Sequence, residues 1–305
     1  MRATRLVQQT IATPKRKGLA AGGTAVLLWG TLPALRTAAE AIPPMQLAAM
    51  ALACAAAVGA LGWIVGKVQP GDHCRHSLAI WAGAVGGLIG ALYFYFIGLV
   101  VAPPAQVTLI TYIWPLGFVL LLDLRQRGAP RPSLFAGGTL ALAGVALVVL
   151  PGGDGAWSWD QLPGYLAGLG SGACWIAFSY ILQSARTVTT PSYPWFFAAG
   201  AAAAALLHTM GETTIHPPTA AAWGAAVAIG IGPYGLAFMA WGYGLRHGPS
   251  STVGVLAYFV PLVATLVLTV FGLARPSLNL ALATLAIIGG TLLASRVPRP
   301  AATAR

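Results

Sequence analysis

Thr108-Leu-Ile-Thr-Tyr-Ile-Trp-Pro-Leu-Gly-Phe-Val-Leu-Leu-Leu122 decides how the rest of the chain is read. The run is apolar enough to sit in a bilayer, yet its middle holds Tyr112, Trp114 and Pro115. Proline has no backbone N–H, so the carbonyl one turn earlier, at Thr111, loses its usual partner. Hydrocarbon cannot satisfy a free carbonyl, and a helix broken in this way must face other protein or a wet cavity. The arrangement returns as Val255-Leu-Ala-Tyr258-Phe-Val-Pro261-Leu262. Two interruptions in corresponding segments are a sequence pointer to a transporter's binding site.

The surrounding composition fits a membrane. Of 305 residues 57% are hydrophobic and 8% charged, against roughly 25% charged in an ordinary soluble domain. Apolar segments of about 20 residues, each enough to cross the hydrocarbon core, recur to the end of the chain. Ten are expected: 18–38, 44–66, 77–101, 104–123, 132–150, 161–184, 192–210, 219–245, 249–272 and 278–296. Connectors between them are too short to hold a soluble domain. The expectation is an all-α integral membrane protein, with residues 1–305 as a single membrane domain.

A net charge of +11 would suggest nucleic acid in a soluble protein. Its distribution points instead to orientation. With the N-terminus in the cytoplasm, the inner face holds 15 of the 17 basic residues, leaving Arg36 and Arg275 outside. The positive-inside rule therefore places both termini in the cytoplasm, and no nucleic-acid partner is expected. Residues 1–17 are basic and polar, and the run that follows is long enough to span, so no cleavable signal peptide is expected. Cys54, Cys74 and Cys174 are scattered and suggest neither a disulfide framework nor a metal site.

The chain is two copies of one unit. A shift of 146 positions aligns the halves without a gap. Trp29 then meets Trp175, Gly98-Leu99 meets Gly244-Leu245, Pro103 meets Pro249, Tyr112 meets Tyr258, and Pro115-Leu116 meets Pro261-Leu262. Pro130 likewise meets Pro276. The first repeat covers 18–150 and the second 161–296, with five spans each. Five is odd, so the second copy is inverted relative to the first. Inverted repeats can trade inward and outward openings around one central cavity.

Tryptophan and tyrosine gather where headgroups meet hydrocarbon. Trp63, Trp81, Trp157, Trp159, Trp195, Trp223 and Trp241 all lie near expected span ends and are assigned to that belt. Trp29, Trp114 and Trp175 are deep, as are Tyr112, Tyr234 and Tyr258, and a buried phenol needs a partner. These residues are expected to line a cavity that holds flat apolar ligands by stacking while hydroxyls orient polar groups. Tyr112, Thr108 and Pro115 share one helical face. Trp114 points about 160° away from Tyr112 on an unbroken helix. Tyr95 is assigned either to an outer wall or to the belt. Pro115 and Pro261 are the expected helix breaks, and the carbonyls of Thr111 and Ala257 are expected to be freed for a substrate ammonium.

The six acidic residues, Glu40, Asp72, Asp123, Asp154, Asp160 and Glu212, fall in loops or at span ends. Proton-driven carriers commonly use an intramembrane carboxylate or histidine. Here only His208 and Asp123 come near, each expected to be a satisfied interfacial residue. That scarcity favours facilitated diffusion over obligatory proton exchange. With no mid-membrane Lys or Arg, phosphorylated substrates are disfavoured. No nucleophile–base pair or metal cluster stands among the deep residues, and no Walker A sequence occurs, so neither catalysis nor ATP hydrolysis is expected.

With these motifs in place, the chain resembles the drug/metabolite transporter superfamily, in its ten-span EamA-type branch. Trp29-Gly30 with Arg36, Trp175, Pro115, Pro261 and the glycine-containing spans 5 and 10 carry the resemblance. Tyr112-Ile-Trp-Pro115 and Tyr258-Phe-Val-Pro261 look more particularly like its aromatic amino acid exporter subgroup, related to the paraquat exporters. The resemblance implies a bacterial inner-membrane protein that exports Phe, Tyr and Trp by alternating access, without cofactor; the scarcity of intramembrane acids adds facilitative uniport to that expectation. A monomer is compatible with it. The implied binding residues are Trp29, Tyr95, Thr108, Thr111, Tyr112, Trp114, Trp175, Tyr234 and Tyr258. The alternative is a quaternary-ammonium or multidrug exporter of the same fold, possibly proton-coupled, which tryptophan faces would also suit. One departure stands out. Many members carry a glutamate after span 4, where this chain reads Leu122-Asp-Leu-Arg-Gln-Arg127.

Overall fold

The computed structural model describes residues 2–66, 70–149, 158–214, 216, 219–272 and 278–296. Lys67, Asp154, Trp157, Arg275, Pro276, Arg299 and Arg305, used above for orientation, belt assignment or repeat matching, lie outside them. Among the described residues the chain makes ten helical passages. Spans 1 to 3 are Pro14–Ala38, Pro44–Val65 and Leu78–Val101. Span 4 is two helices, Pro104–Thr111 and Trp114–Arg127, and span 5 is Pro132–Val149. Spans 6 and 7 are Leu162–Ser184 and Tyr193–Gly211. Spans 8 to 10 are Ala220–His247, Ser250–Val270 and Leu278–Ala294. Seven stretches are long and apolar enough to cross a bilayer on length and composition. The first helix is already formed at Arg2, so the basic N-terminal segment continues span 1 rather than preceding it.

Local signals explain the helix ends. Pro43-Pro44 starts span 2, where a missing N–H costs nothing because the first turn has no acceptor for it. The Thr219 hydroxyl caps span 8 by accepting the Ala222 N–H at 3.1 Å. Gly128, at φ 77°, ends span 4 in the left-handed conformation that glycine adopts without strain.

Glycine seams fix how the spans approach. On span 6, Gly164, Gly168 and Gly172 face Ala102, Ile110 and the Thr111 carbonyl in turn, so spans 3 and 4 lie close against it. Spans 5 and 10 cross at Gly137 and Gly290, where a Cβ on Gly137 would fall 2.4 Å from the Ala294 nitrogen. The Gly86-x-x-x-Gly90 pair of span 3 reads as such a seam, and Gly90 packs against Cys174 of span 6. Gly86 has nothing within 4 Å of its Cβ direction, and Gly87, against Phe178, takes its place. Gly137→Val is therefore expected to abolish recovery of folded protein, while Gly86→Ala leaves it unchanged. Size-exclusion profiles of the two purified variants check this.

The two ends of the bundle are chemically different. At one, Arg131 holds Asp123 through two side-chain bonds of 2.7 and 3.1 Å, and Arg246 donates to the Val188 carbonyl. At the other, Arg36 donates to the carbonyls of Ala39 and Ile42. There Glu212 accepts the N–H groups of Met45 and Gln46 at the start of span 2. His208 joins Glu212 and Thr214, both at 2.8 Å. His208 and Asp123 thus each sit in a satisfied network at an end of the bundle.

Candidate functional site: an aromatic hollow between the repeats

Span 4 does not run through its proline. The helix stops at Thr111, turns through Tyr112 and Ile113, and restarts at Trp114. Tyr112 and Trp114, opposed on a regular helix, flank this turn, and both line one hollow. In span 9 the chain tightens into a 3₁₀ turn, Ala257–Phe259, before Val260. Spans 3 and 8 loosen in the opposite sense, with π-helical turns at Ala82–Gly86 and Gly230–Leu236. In the second of these the Ala237 N–H reaches back to the Gly232 carbonyl. The Pro233 carbonyl is taken by the Trp29 indole N–H at 2.9 Å. Such turns concentrate at functional sites, and nothing in the periodicity of spans 3 and 8 announces them.

The span 4 break, the span 9 turn and the span 8 π turn border a hollow of about 380 Å³, within the range of small-molecule sites, while the span 3 turn lies outside its lining. Of the expected residues, Trp29, Tyr95, Thr108, Thr111, Tyr112, Trp114, Trp175 and Tyr234 line it, and so does Pro261. Its floor is a tryptophan cluster. Trp29 lies 6.5 Å from Trp175 and 5.2 Å from Trp241, and Trp114 lies 6.1 Å from Trp175, centroid to centroid. Phe238 packs against Trp29 and Trp175 at 5.6 and 6.0 Å. On the wall, the Tyr95 hydroxyl bonds Thr108 at 2.8 Å. Among the described residues the lining holds no carboxylate, histidine, lysine or arginine.

The hollow occupies one half of the bundle. Its lining in spans 1, 4 and 9 (Leu32 and Pro33, Thr108 and Thr111, Ala264 and Thr265) belongs to the segments nearer the Arg36 end. Toward the Arg131 end spans 4, 8 and 9 are packed shut, with Phe118, Val119, Trp241 and Val253 fully buried.

Comparison with known proteins agrees with this architecture. The profile described as EamA-like transporter family matches twice, over residues 16–150 and 162–296. The chain belongs to the EamA-like transporter family. It is 36% identical over 279 residues to the aromatic amino acid exporter YddG of Ancylobacter novellus, covering 91% of this chain and 96% of that one. A solved crystal structure superposes with a TM-score of 0.85 at 34% identity, over 92% of this chain and 98% of the other.

For this EamA-like chain, four expectations about the site need correction. Tyr258 does not line the hollow: it is 0% exposed, and its hydroxyl accepts the Leu116 N–H at 3.1 Å. Pro115 is buried beside the break rather than in the lining. The carbonyls of Thr111 and Ala257 are not presented to a ligand. A Cβ on Gly172 would lie 3.3 Å from the Thr111 oxygen, so span 6 covers that carbonyl. The Ala257 carbonyl accepts the Val260 N–H in the 3₁₀ turn. Finally, Trp241 is not in the headgroup belt. It is fully buried against Trp29 and Trp114, and its indole N–H donates to the Ser179 hydroxyl at 3.2 Å. Trp159 and Trp223, by contrast, are exposed. Sequence reasoning also passed over Phe238 and Thr265, whose only signal was their nearness to Tyr234 and Pro261.

Proposed function

We propose that this chain exports aromatic amino acids across the bacterial inner membrane, as a facilitative uniporter working by alternating access. The observation that carries the reading is the hollow itself, floored by tryptophan rings and, among the described residues, lined by no ionised side chain. The name of the Ancylobacter novellus relative points the same way. Flat side chains stack on Trp114 and Trp175, where each aromatic pair adds about 0.5–1.5 kcal/mol beyond area burial. The phenols of Tyr112 and Tyr234 serve the substrate carboxylate as donors, and the tryptophan faces attract its ammonium. Without a titratable acid or histidine in the lining, no proton has to move with the substrate.

The concentration of Arg and Lys at the Arg131 end supports a cytoplasmic location for both termini. The hollow then opens outward in this conformation, with the cytoplasmic half closed. Residues 1–305 act as a single membrane domain, the repeats 18–150 and 161–296 moving against one another. A monomer contains the whole site.

Counterflow in proteoliposomes tests the reading. Labelled tryptophan is expected to accumulate against unlabelled tryptophan, at the same rate with and without a pH gradient. Phenylalanine and tyrosine should compete, while a cationic dye should not. Stronger competition by the dye overturns the substrate assignment, and a requirement for the gradient overturns uniport.

A further inference from the structure

The two repeats hold equivalent residues in opposite environments. A shift of 146 positions pairs Thr108 with Gly254 and Ala264 with Phe118. Thr108 and Ala264 line the hollow. Their mates touch: a Cβ on Gly254 would sit 2.9 Å from Phe118 Cδ1. Hollow and plug are therefore the same inter-repeat contact, present twice, open at one end of the bundle and shut at the other.

Tyr112 and Tyr258 obey this rule, and hydrogen bonding adds a mechanism. Leu116 stands in the first turn of the helix restarting at Trp114, where N–H groups have no partner within the helix. In a bilayer such a group needs another acceptor. The buried Tyr258 hydroxyl supplies it. Tyr112, the mate of Tyr258, faces the hollow, and among the described residues its hydroxyl has no hydrogen bond. The mate of Leu116 is Leu262, a buried residue next in the chain to Pro261, which lines the same hollow.

We infer that Tyr112 and Tyr258 are the two halves of a reciprocal latch. Tyr258 accepts the Leu116 N–H in the conformation seen here. When the repeats exchange shapes, Tyr258 lets go and swings toward the newly opened hollow, and Tyr112 closes on the Leu262 N–H. The latch gives each end state one hydrogen bond that the other lacks, so neither is favoured by this contact alone. It rests on the alternating-access reading above, but on no particular substrate.

Labelling from the two sides of the membrane, without substrate, tests it in a chain whose three native cysteines are replaced by alanine. Thr265→Cys reports the present hollow, and its mate Val119→Cys reports the shut half. Tyr258→Phe is expected to raise labelling of Val119→Cys and lower that of Thr265→Cys. One hydrogen bond corresponds to a population shift of roughly fivefold. Tyr112→Phe is expected to do the reverse, and the double variant to label like the parent. Tyr112→Phe loses no bond in the present conformation, so its result stands even if Tyr258→Phe folds poorly. Shifts in the same direction, or no shift with Tyr112→Phe, overturn the latch. Either failure is read from labelling without substrate, whereas the export reading is judged by tryptophan counterflow of the parent chain, so the two failures are distinguishable.

Discussion

Trp175→Ala is expected to reduce tryptophan counterflow efficiency by roughly 100-fold while leaving the fold intact. The indole forms part of the floor, 6.1 Å from Trp114 and 5.8 Å from Phe178, and faces the hollow rather than the sealed half. A ligand ring that covers about 100 Å² of it gains ~2.5 kcal/mol at 25 cal/mol per Å². Stacking adds about 0.5–1.5 kcal/mol, and each 1.4 kcal/mol is about tenfold. Trp175→Phe keeps a stacking face and is expected to recover most of the loss. Counterflow rates at several tryptophan concentrations, normalised to folded protein, measure the effect. Equal loss of folded protein in Trp175→Ala would assign the ring to packing instead.

Among the charged residues, the largest effect on stability is expected at Asp123. Its side chain is 2% exposed and is held by Arg131 through both carboxylate oxygens, with the Arg131 backbone N–H adding a third bond at 3.1 Å. Removing one partner of a buried pair leaves the other charge uncompensated, at a cost of about 3–5 kcal/mol. Asp123→Ala should therefore lower thermal stability in detergent sharply. Arg127→Ala removes only a 3.7 Å contact from a half-exposed side chain, and is expected to cost ~0.5 kcal/mol or less. The pair of melts separates the two cases. A transport defect in Asp123→Ala without a shift in melting would instead mark this acid as part of a coupling mechanism, against uniport.

Several features were legible from residue order because they follow from solvent and covalent chemistry. Apolar runs long enough to cross hydrocarbon marked the ten passages, and Pro115 and Pro261 marked the two irregular turns, since each removes an N–H that a regular helix would use deep in a span. Depth along a span marked Trp29, Trp114 and Trp175 as interior residues. Depth failed for Trp241, because a shut gate and a headgroup belt lie at the same height in the membrane. They differ only in which side of the helix faces protein, and that depends on its neighbours.

Tyr112 and Tyr258 draw the remaining line. The sequence by itself determined that they are equivalent, each three residues before a proline in inverted copies of one unit. Tertiary structure alone decided that one stands in the hollow and the other is sealed against Leu116. The reason is physical. Two repeats built on one plan cannot both be open around one site, so the conformation breaks a symmetry that the repeated Tyr-x-x-Pro motif keeps.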